Sequence, residues 1–273
     1  QFQAIRGWVE QFGIDGLRLD VAYCLPIDYL RQLRAFTDTL KPDFVLLGEA
    51  LGGDYNQWMG PDKCHSVTNY DCFKGLWSSF NDRNLFEIGH SLARQYGPEP
   101  WTLYKGAHLL SFADNHDVTR LASKLTEPRH IPLAYAILMG MPGTPALYYG
   151  SEWGIKGEKG ARSDDELRPA LEQPEWNDLT GWIAKLTAAR RGSPALCNGS
   201  YRNVLLTNRQ IIFERKVEGE RVLVAVNADG EPYVAHFDAG CGLAWDLITG
   251  EQHDFGGGSH LPPYSAYFWK MER

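Results

Sequence analysis

Ile5, Trp8, Val9 and Phe12 recur at helical spacing and stop at Gly13, so the chain is expected to open with a short capped helix. Asp15 to Asp20 follows as a short strand, and Pro26 opens a second helix through about Leu40 whose Leu30, Leu33, Phe36 and Leu40 face the core. Phe44 to Glu49 is apolar until its last residue, the pattern of a strand buried on both faces, which argues for a parallel sheet. His65 to Asn69, Leu109 to Ala113 and Ala146 to Tyr149 read as three further strands. Helices are predicted near Phe73 to Phe80, Leu85 to Tyr96, Pro132 to Met139 and Leu179 to Arg191. Five strands, each followed by helical material, make repeated βα units.

After Gly192-Ser193-Pro194 the texture changes. Ile211 to Phe213, Arg221 to Val226, Tyr233 to Phe237 and Ala266 to Trp269 are β-rich runs separated by turn residues such as Asn227-Ala228-Asp229-Gly230. The division expected is an α/β part over residues 1–192 and a small antiparallel β-sandwich over 193–273.

Composition narrows the function classes. Lys and Arg number 27 against 34 Asp and Glu, a net charge of −7, which is the wrong sign for a nucleic-acid surface. The longest apolar run, Ile131 to Ala146, is broken by Pro132, Gly140, Pro142, Gly143 and Pro145, so no membrane span of about 20 residues is expected. No charged-then-apolar stretch follows Gln1, so no secretory leader is expected. Five cysteines, widely spaced and without a Cys-x-x-Cys pair, read as buried or half-buried thiols of a reducing, cytoplasmic compartment. The histidines show no paired ligand spacing, so no metal site is predicted, and Gly256-Gly257-Gly258 lacks the strand-to-helix setting of a phosphate loop.

Three predicted strands end at a carboxylate: Asp20, Glu49 and Asp117. In a parallel barrel the C-terminal strand ends converge on one face, where such folds place their chemistry. Asp20 and Glu49 are 29 residues apart, close to one βα unit of about 30, and Glu49 and Asp117 are 68 apart, close to two units and an insertion. Carboxylates sharing a cleft repel, which separates an acid from a nucleophile built of the same group. Arg18, two residues before Asp20 and on the same strand face, is the cation expected to keep Asp20 charged. Glu49 has no basic neighbour in sequence, which suits a proton donor.

Gly16-Leu17-Arg18-Leu19-Asp20, Gly48-Glu49-Ala50 and Phe112-Ala113-Asp114-Asn115-His116-Asp117 resemble, in order, three signature segments of the α-amylase family, glycoside hydrolase family 13. Gly140 to Pro145 with Tyr148 to Glu152 resembles the segment around that family's last barrel strand. The resemblance implies a partial (β/α)8 TIM barrel, strands four to eight, followed by the β-sandwich. It implies Asp20 as nucleophile, Glu49 as general acid/base and Asp117 as the third carboxylate, with Arg18, Asn115 and His116 orienting the nucleophile and the sugar. The reaction implied is retaining cleavage of α-glucosidic bonds, with carboxyl groups about 5 to 5.5 Å apart. Tyr55, Trp58, Tyr70, Tyr149 and Trp153 follow predicted strand ends where rings stack on sugars; Trp58 and Trp153, flanked by glycine and polar residues, are the two assigned to substrate.

The resemblance begins at the fourth barrel strand. Strands one to three, and the inserted loop domain that carries calcium ligands in relatives, have no counterpart before Gln1, so no cofactor is expected on the residues present. A missing N-terminal barrel half, or another chain, is the expected partner besides an α-glucan oligosaccharide. Val21-Ala22-Tyr23-Cys24 lacks the Lys-His pair of many true α-amylases, which tilts the substrate toward short maltodextrins. The alternatives are a transglycosidase of the same family and a non-catalytic amylase-like or carbohydrate-binding relative.

Overall fold

In the computed structural model, which describes residues 1–271, helix α1 (Phe2–Phe12) forms where the apolar period runs. Gly13 ends it at φ 67°, in the left-handed region that glycine enters without steric cost, and its N–H donates to the Val9 carbonyl. Helix α2 (Ile27–Thr37) starts after Pro26 and stops short of Leu40. Leu30 and Leu33 are fully buried, but Thr37 takes the next inward place, and Phe36 and Leu40 are only half-buried. Phe36 stacks instead on Phe2 at 4.7 Å.

Strand β1 (Gly16–Leu19) pairs in parallel with β2 (Val45–Gly48), Arg18 standing opposite Leu47, and β2 pairs in parallel with β3 (Ser66–Val67). Thr68 continues the pattern with a parallel bridge to Leu110, the first residue of β4 (Leu110–Phe112). The parallel sheet is as expected; the burial of β2 on both faces is not. Alternation turns Leu46 and Gly48 to the covered side, while Val45 remains 46% exposed and Leu47 half-exposed. Between β2 and β3 the chain makes only a 3₁₀ turn, Tyr55–Gln57, in place of the helix that a regular βα repeat requires. Residues 1–70 with 107–110 form one compact unit, and 71–106 with the chain from 111 onward form the other.

In the second unit lie α3 (Tyr70–Asn81) from Asp71 on, α4 (Phe86–Tyr96), α5 (Leu121–Lys124), α6 (Ile131–Gly140), α7 (Asp178–Arg191) and α8 (Pro194–Asn198). Strand β5 is Thr144–Ala146, hydrogen-bonded beside β4, rather than the expected 146–149. Leu147 to Tyr149 lie outside the ladder, and there Tyr148 and Tyr149 pack edge to face at 4.7 Å, with the Arg120 guanidinium over both rings.

Eight strands follow: β6 (Ser200–Leu206), β7 (Gln210–Val217), β8 (Glu220–Asn227), β9 (Tyr233–Ala235), β10 (Leu243–Asp246), β11 (Gln252–Asp254), β12 (Ser259–Leu261) and β13 (Ser265–Met271). Six form an antiparallel sheet in the order β11-β10-β13-β8-β7-β6, and β9 pairs with β12. Ile212, Leu223, Ala225 and Trp269 of the large sheet share a core with Ala235 of β9 and Leu261 of β12, which makes two layers. On the other face Gly140 of α6 approaches so closely that a Cβ there would meet Val224 at 2.8 Å. The patterned strands β7, β8, β9 and β13 were legible; β11, Gln-His-Asp, has no apolar residue to betray it. Cys64 and Cys72 are buried, Cys197 and Cys241 intermediate, but Cys24 is exposed rather than shielded. No helix among the described residues is long and apolar enough to cross a membrane.

Candidate active site

The first unit brings Arg18, Asp20 and Glu49 together. Because Arg18 lies opposite Leu47, the next pair outward on the same sheet face is Asp20 and Glu49, and the Glu49 N–H extends the ladder by donating to the Leu19 carbonyl. One guanidinium spans both acids: Arg18 Nη1 contacts Asp20 Oδ1, and Nη2 stands 2.9 Å from Glu49 Oε1. The reading of Glu49 as an acid without a basic neighbour is thereby corrected, since the strand pairing supplies across the sheet the cation that sequence adjacency did not show. The two acids differ in environment. The Asp20 side chain is 76% exposed and that of Glu49 only 7%.

The second oxygen of Glu49 is also fixed. The Val21 N–H donates to Glu49 Oε2 at 2.9 Å. Val21 has φ 47° and ψ 41°, a left-handed conformation that a β-branched residue adopts only under constraint. Behind the acid, a Cβ on Gly48 would meet Ala22 at 3.0 Å and Cys64 Sγ at 3.1 Å, so a larger residue there would press on the loop after Asp20 where it closes over the end of β2. Trp58 sits in the loop that follows Glu49, its ring 3.5 Å from where a Gly53 Cβ would stand; Tyr55 is fully buried core. Along β1 and between α1 and α2 runs an apolar groove of about 540 Å³, walled by Ile5, Trp8, Leu17, Leu19 and Tyr29 and reaching Asp20.

The second unit holds the Asn115-His116-Asp117 segment. Asp117 does not end a strand, since β4 stops at Phe112; the intervening residues form a turn in which Asn115 Oδ1 accepts the Asp117 N–H at 2.8 Å. His116 Nε2 lies 3.0 Å from Asp117 Oδ2, and Arg168 Nη2 lies 3.0 Å from Oδ1. Lys159 donates to the Asp117 carbonyl at 2.7 Å. Asp114, three residues earlier, is buried, and burial raises its carboxyl above the usual range although Leu121 N–H and Ser151 Oγ donate to it. Trp153 lines a groove of about 710 Å³ with Pro132, Trp182, Tyr264 and Tyr267, and neither His116 nor Asp117 is in its walls. Tyr149, 41% exposed, donates its hydroxyl to the Pro169 carbonyl.

Arg168 and Lys159 escaped sequence reasoning. Arg168 lies 51 residues from Asp117, beyond any periodicity; its only local signal is its place between an acidic stretch and Pro169, which bars helical continuation. Among the described residues no group of three or more His, Cys, Asp or Glu is arranged to hold a metal ion.

The chain is similar to known proteins along most of its length. The chain is 30% identical over 263 residues to neopullulanase 2 of Thermoactinomyces vulgaris, covering 92% of this chain and 43% of that one. It is 27% identical over 258 residues to the maltogenic alpha-amylase of Bacillus acidopullulyticus, covering 90% and 43%. It therefore spans less than half the length of these relatives. In fold it is similar to the crystal structure of an alpha-amylase from Geobacillus thermoleovorans complexed with acarbose, with a TM-score of 0.86 and 20% identity over all of this chain and 63% of that one. Residues 2–185, more than half of the sequence, match the family described as alpha amylase, catalytic domain, and the chain belongs to that family.

Proposed function

We propose that this chain is the later part of a retaining glycosidase that cleaves α-glucosidic bonds in short maltodextrins, with Asp20 as nucleophile and Glu49 as general acid/base. The observation that carries the reading is the single Arg18 guanidinium held between two carboxylates at the ends of adjacent parallel strands. The exposure of Asp20 supports its role in attack, and the contacts to both oxygens of the enclosed Glu49 carboxyl support its role as proton donor. Glu49 gives its proton to the leaving glycosidic oxygen as Asp20 bonds to the anomeric carbon, producing a covalent glycosyl-enzyme. Glu49 then takes a proton from water, which displaces Asp20 with the original configuration restored. Asp117 is assigned the third role, accepting from sugar hydroxyls and favouring the distorted ring.

The relatives named for maltogenic amylase and neopullulanase activity support the substrate class. Support for an incomplete barrel, strands four to eight within residues 1–192, comes from the relatives' length and from β1, an edge strand flanked by an apolar groove. Another strand and helix packed there would cover Trp8 and Phe12, now 46% and 71% exposed.

Maltooligosaccharide turnover with the complete polypeptide, and with this chain alone, tests the reading. The complete polypeptide should release products in the α configuration, and Asp20→Asn should lower kcat by about 10⁴-fold or more by deleting the covalent step. Release of the β anomer, or an active Asp20→Asn variant, would overturn the assignment. Full activity of this chain as a monomer would overturn the incomplete barrel.

A further inference from the structure

Arg168 contacts Asp117 in a way that neither its exposure nor its contribution to folding explains. Its side chain is 49% exposed and that of Asp117 is 31% exposed, and ion pairs in such surroundings add little to stability. Yet the backbone on both sides of Arg168 is pinned. The buried Arg120 guanidinium donates through Nη2 to the Leu167 carbonyl at 2.7 Å, and the Tyr149 hydroxyl donates to the Pro169 carbonyl at 2.9 Å. Arg120 is itself locked, Nη1 donating to the Tyr149 carbonyl at 2.6 Å and to Ser151 Oγ at 2.9 Å, while its own N–H donates to the Gly157 carbonyl. From this anchored place Arg168 makes two contacts with one segment: Nη2 to Asp117 Oδ1 at 3.0 Å, and Nε to the His116 carbonyl at 3.2 Å. A forked donor that takes a carboxylate and the carbonyl one residue before it fixes both position and rotation, which a lysine ammonium cannot do.

We propose that Arg168 is a positioning residue for Asp117, and that the loop from Ile155 to Pro169 serves to present it. The inference rests on the reading of Asp117 as the third carboxylate. Arg168 holds one oxygen and His116 faces the other, so the carboxylate is set in one orientation before a sugar arrives. Lys159 secures the Asp117 backbone from the same loop. The effect should fall on turnover more than on binding, because misplacing a reacting-subsite group by about 1 Å costs on the order of 10²-fold.

The test uses the complete polypeptide with Arg168→Ala, Arg168→Lys, Asp117→Asn and the Arg168→Ala/Asp117→Asn double variant. Arg168→Ala should lower kcat by roughly 10²-fold with KM within a few-fold, and Arg168→Lys should recover only part of the loss. Millimolar guanidinium should partly restore Arg168→Ala, where urea should not, and should leave the double variant unchanged. The double variant should be no slower than Asp117→Asn alone, since Arg168 acts through that carboxylate. Multiplying losses in the double variant, wild-type kcat in Arg168→Ala, or an Arg168→Ala chain that fails to fold would each overturn the positioning role. Wild-type turnover in Asp117→Asn would instead overturn the reading of Asp117 on which it rests.

Discussion

Val21 shows how one residue couples backbone strain to the candidate site. Holding a β-branched residue at φ 47° costs about 1 to 3 kcal/mol, yet that conformation is what aims its N–H at Glu49 Oε2. Asn tolerates the left-handed region, so Val21→Asn should keep the hydrogen bond and raise stability by about 1 kcal/mol. For a chain of this size that is a rise in Tm of about 2 to 4 °C by calorimetry. A fall in Tm would show that the valine side chain contributes more by packing than its backbone costs. The residues that sequence did reveal at this scale, Arg18, Asp20 and Glu49, share one property. Each lies on a strand or one residue past its end, at an offset where a step of two residues means the same face. Val21 and Arg168 have no such offset; a φ angle and a contact across 51 residues leave no periodic trace.

Among the elements, α6 shows the same division. Its apolar residues, Leu133 to Gly140, are buried almost all round, as an unbroken apolar pattern predicts, so its C-terminal carbonyls end in surroundings that hold little water. Two buried arginines satisfy them. Arg190 Nη1 donates to the carbonyls of Met139 and Met141 at 2.7 and 2.9 Å, and Arg215 Nη1 to that of Gly140 at 2.7 Å. Positive charge at a helix C-terminus is favoured by the helix dipole, and burial pushes both guanidinium groups below their ordinary range. Arg215 also donates through Nη2 to the Gly199 carbonyl at 2.9 Å, joining α8 to the same cap. Arg215→Met preserves much of the volume but leaves those carbonyls unpaired, and should lower stability by about 3 kcal/mol or more in urea titrations. A loss under about 1 kcal/mol would mean that water or relaxation replaces the arginine readily. Helix existence was legible from apolar spacing, but this cap was not. β7 is buried continuously from Gln210 to Arg215 rather than alternately, so nothing in the residue pattern marks the charged Arg215, 1% exposed, as facing inward.

For the molecule as a whole, the response to acid should be set by histidines buried in neutral form. His130 is 7% exposed, packs between Phe80 and Tyr264 at 5.0 and 5.6 Å, and shares a hydrogen bond with the Ala228 carbonyl through Nε2. Its Nδ1 is buried without a partner, so a second proton would have no acceptor. Burial lowers its pKa below the ordinary 6.5, outweighing the nearby Glu127 carboxylate. His253, stacked on Trp269 at 4.1 Å, is lowered for the same reason. A lowered folded-state pKa means that the unfolded chain binds more protons, so stability must fall as the pH drops through 6.5 and keep falling toward the folded-state values. Glu127 does not interfere in that window. Arg129 holds its carboxyl at about 2, so its contribution is present above 4.5 and is lost only in stronger acid. Asp114 has the opposite sign: burial raises it, so its contribution is complete below 3.8 and lost as the pH rises. His130→Gln keeps an N–H for Ala228 and cannot take up a proton. Between pH 7 and 5 its stability should decline less steeply than the wild type, by at most about 1.4 kcal/mol per pH unit for the one proton removed. Urea midpoints across that range decide the matter: equal slopes in variant and wild type would move the acid sensitivity away from His130 and toward the remaining histidines.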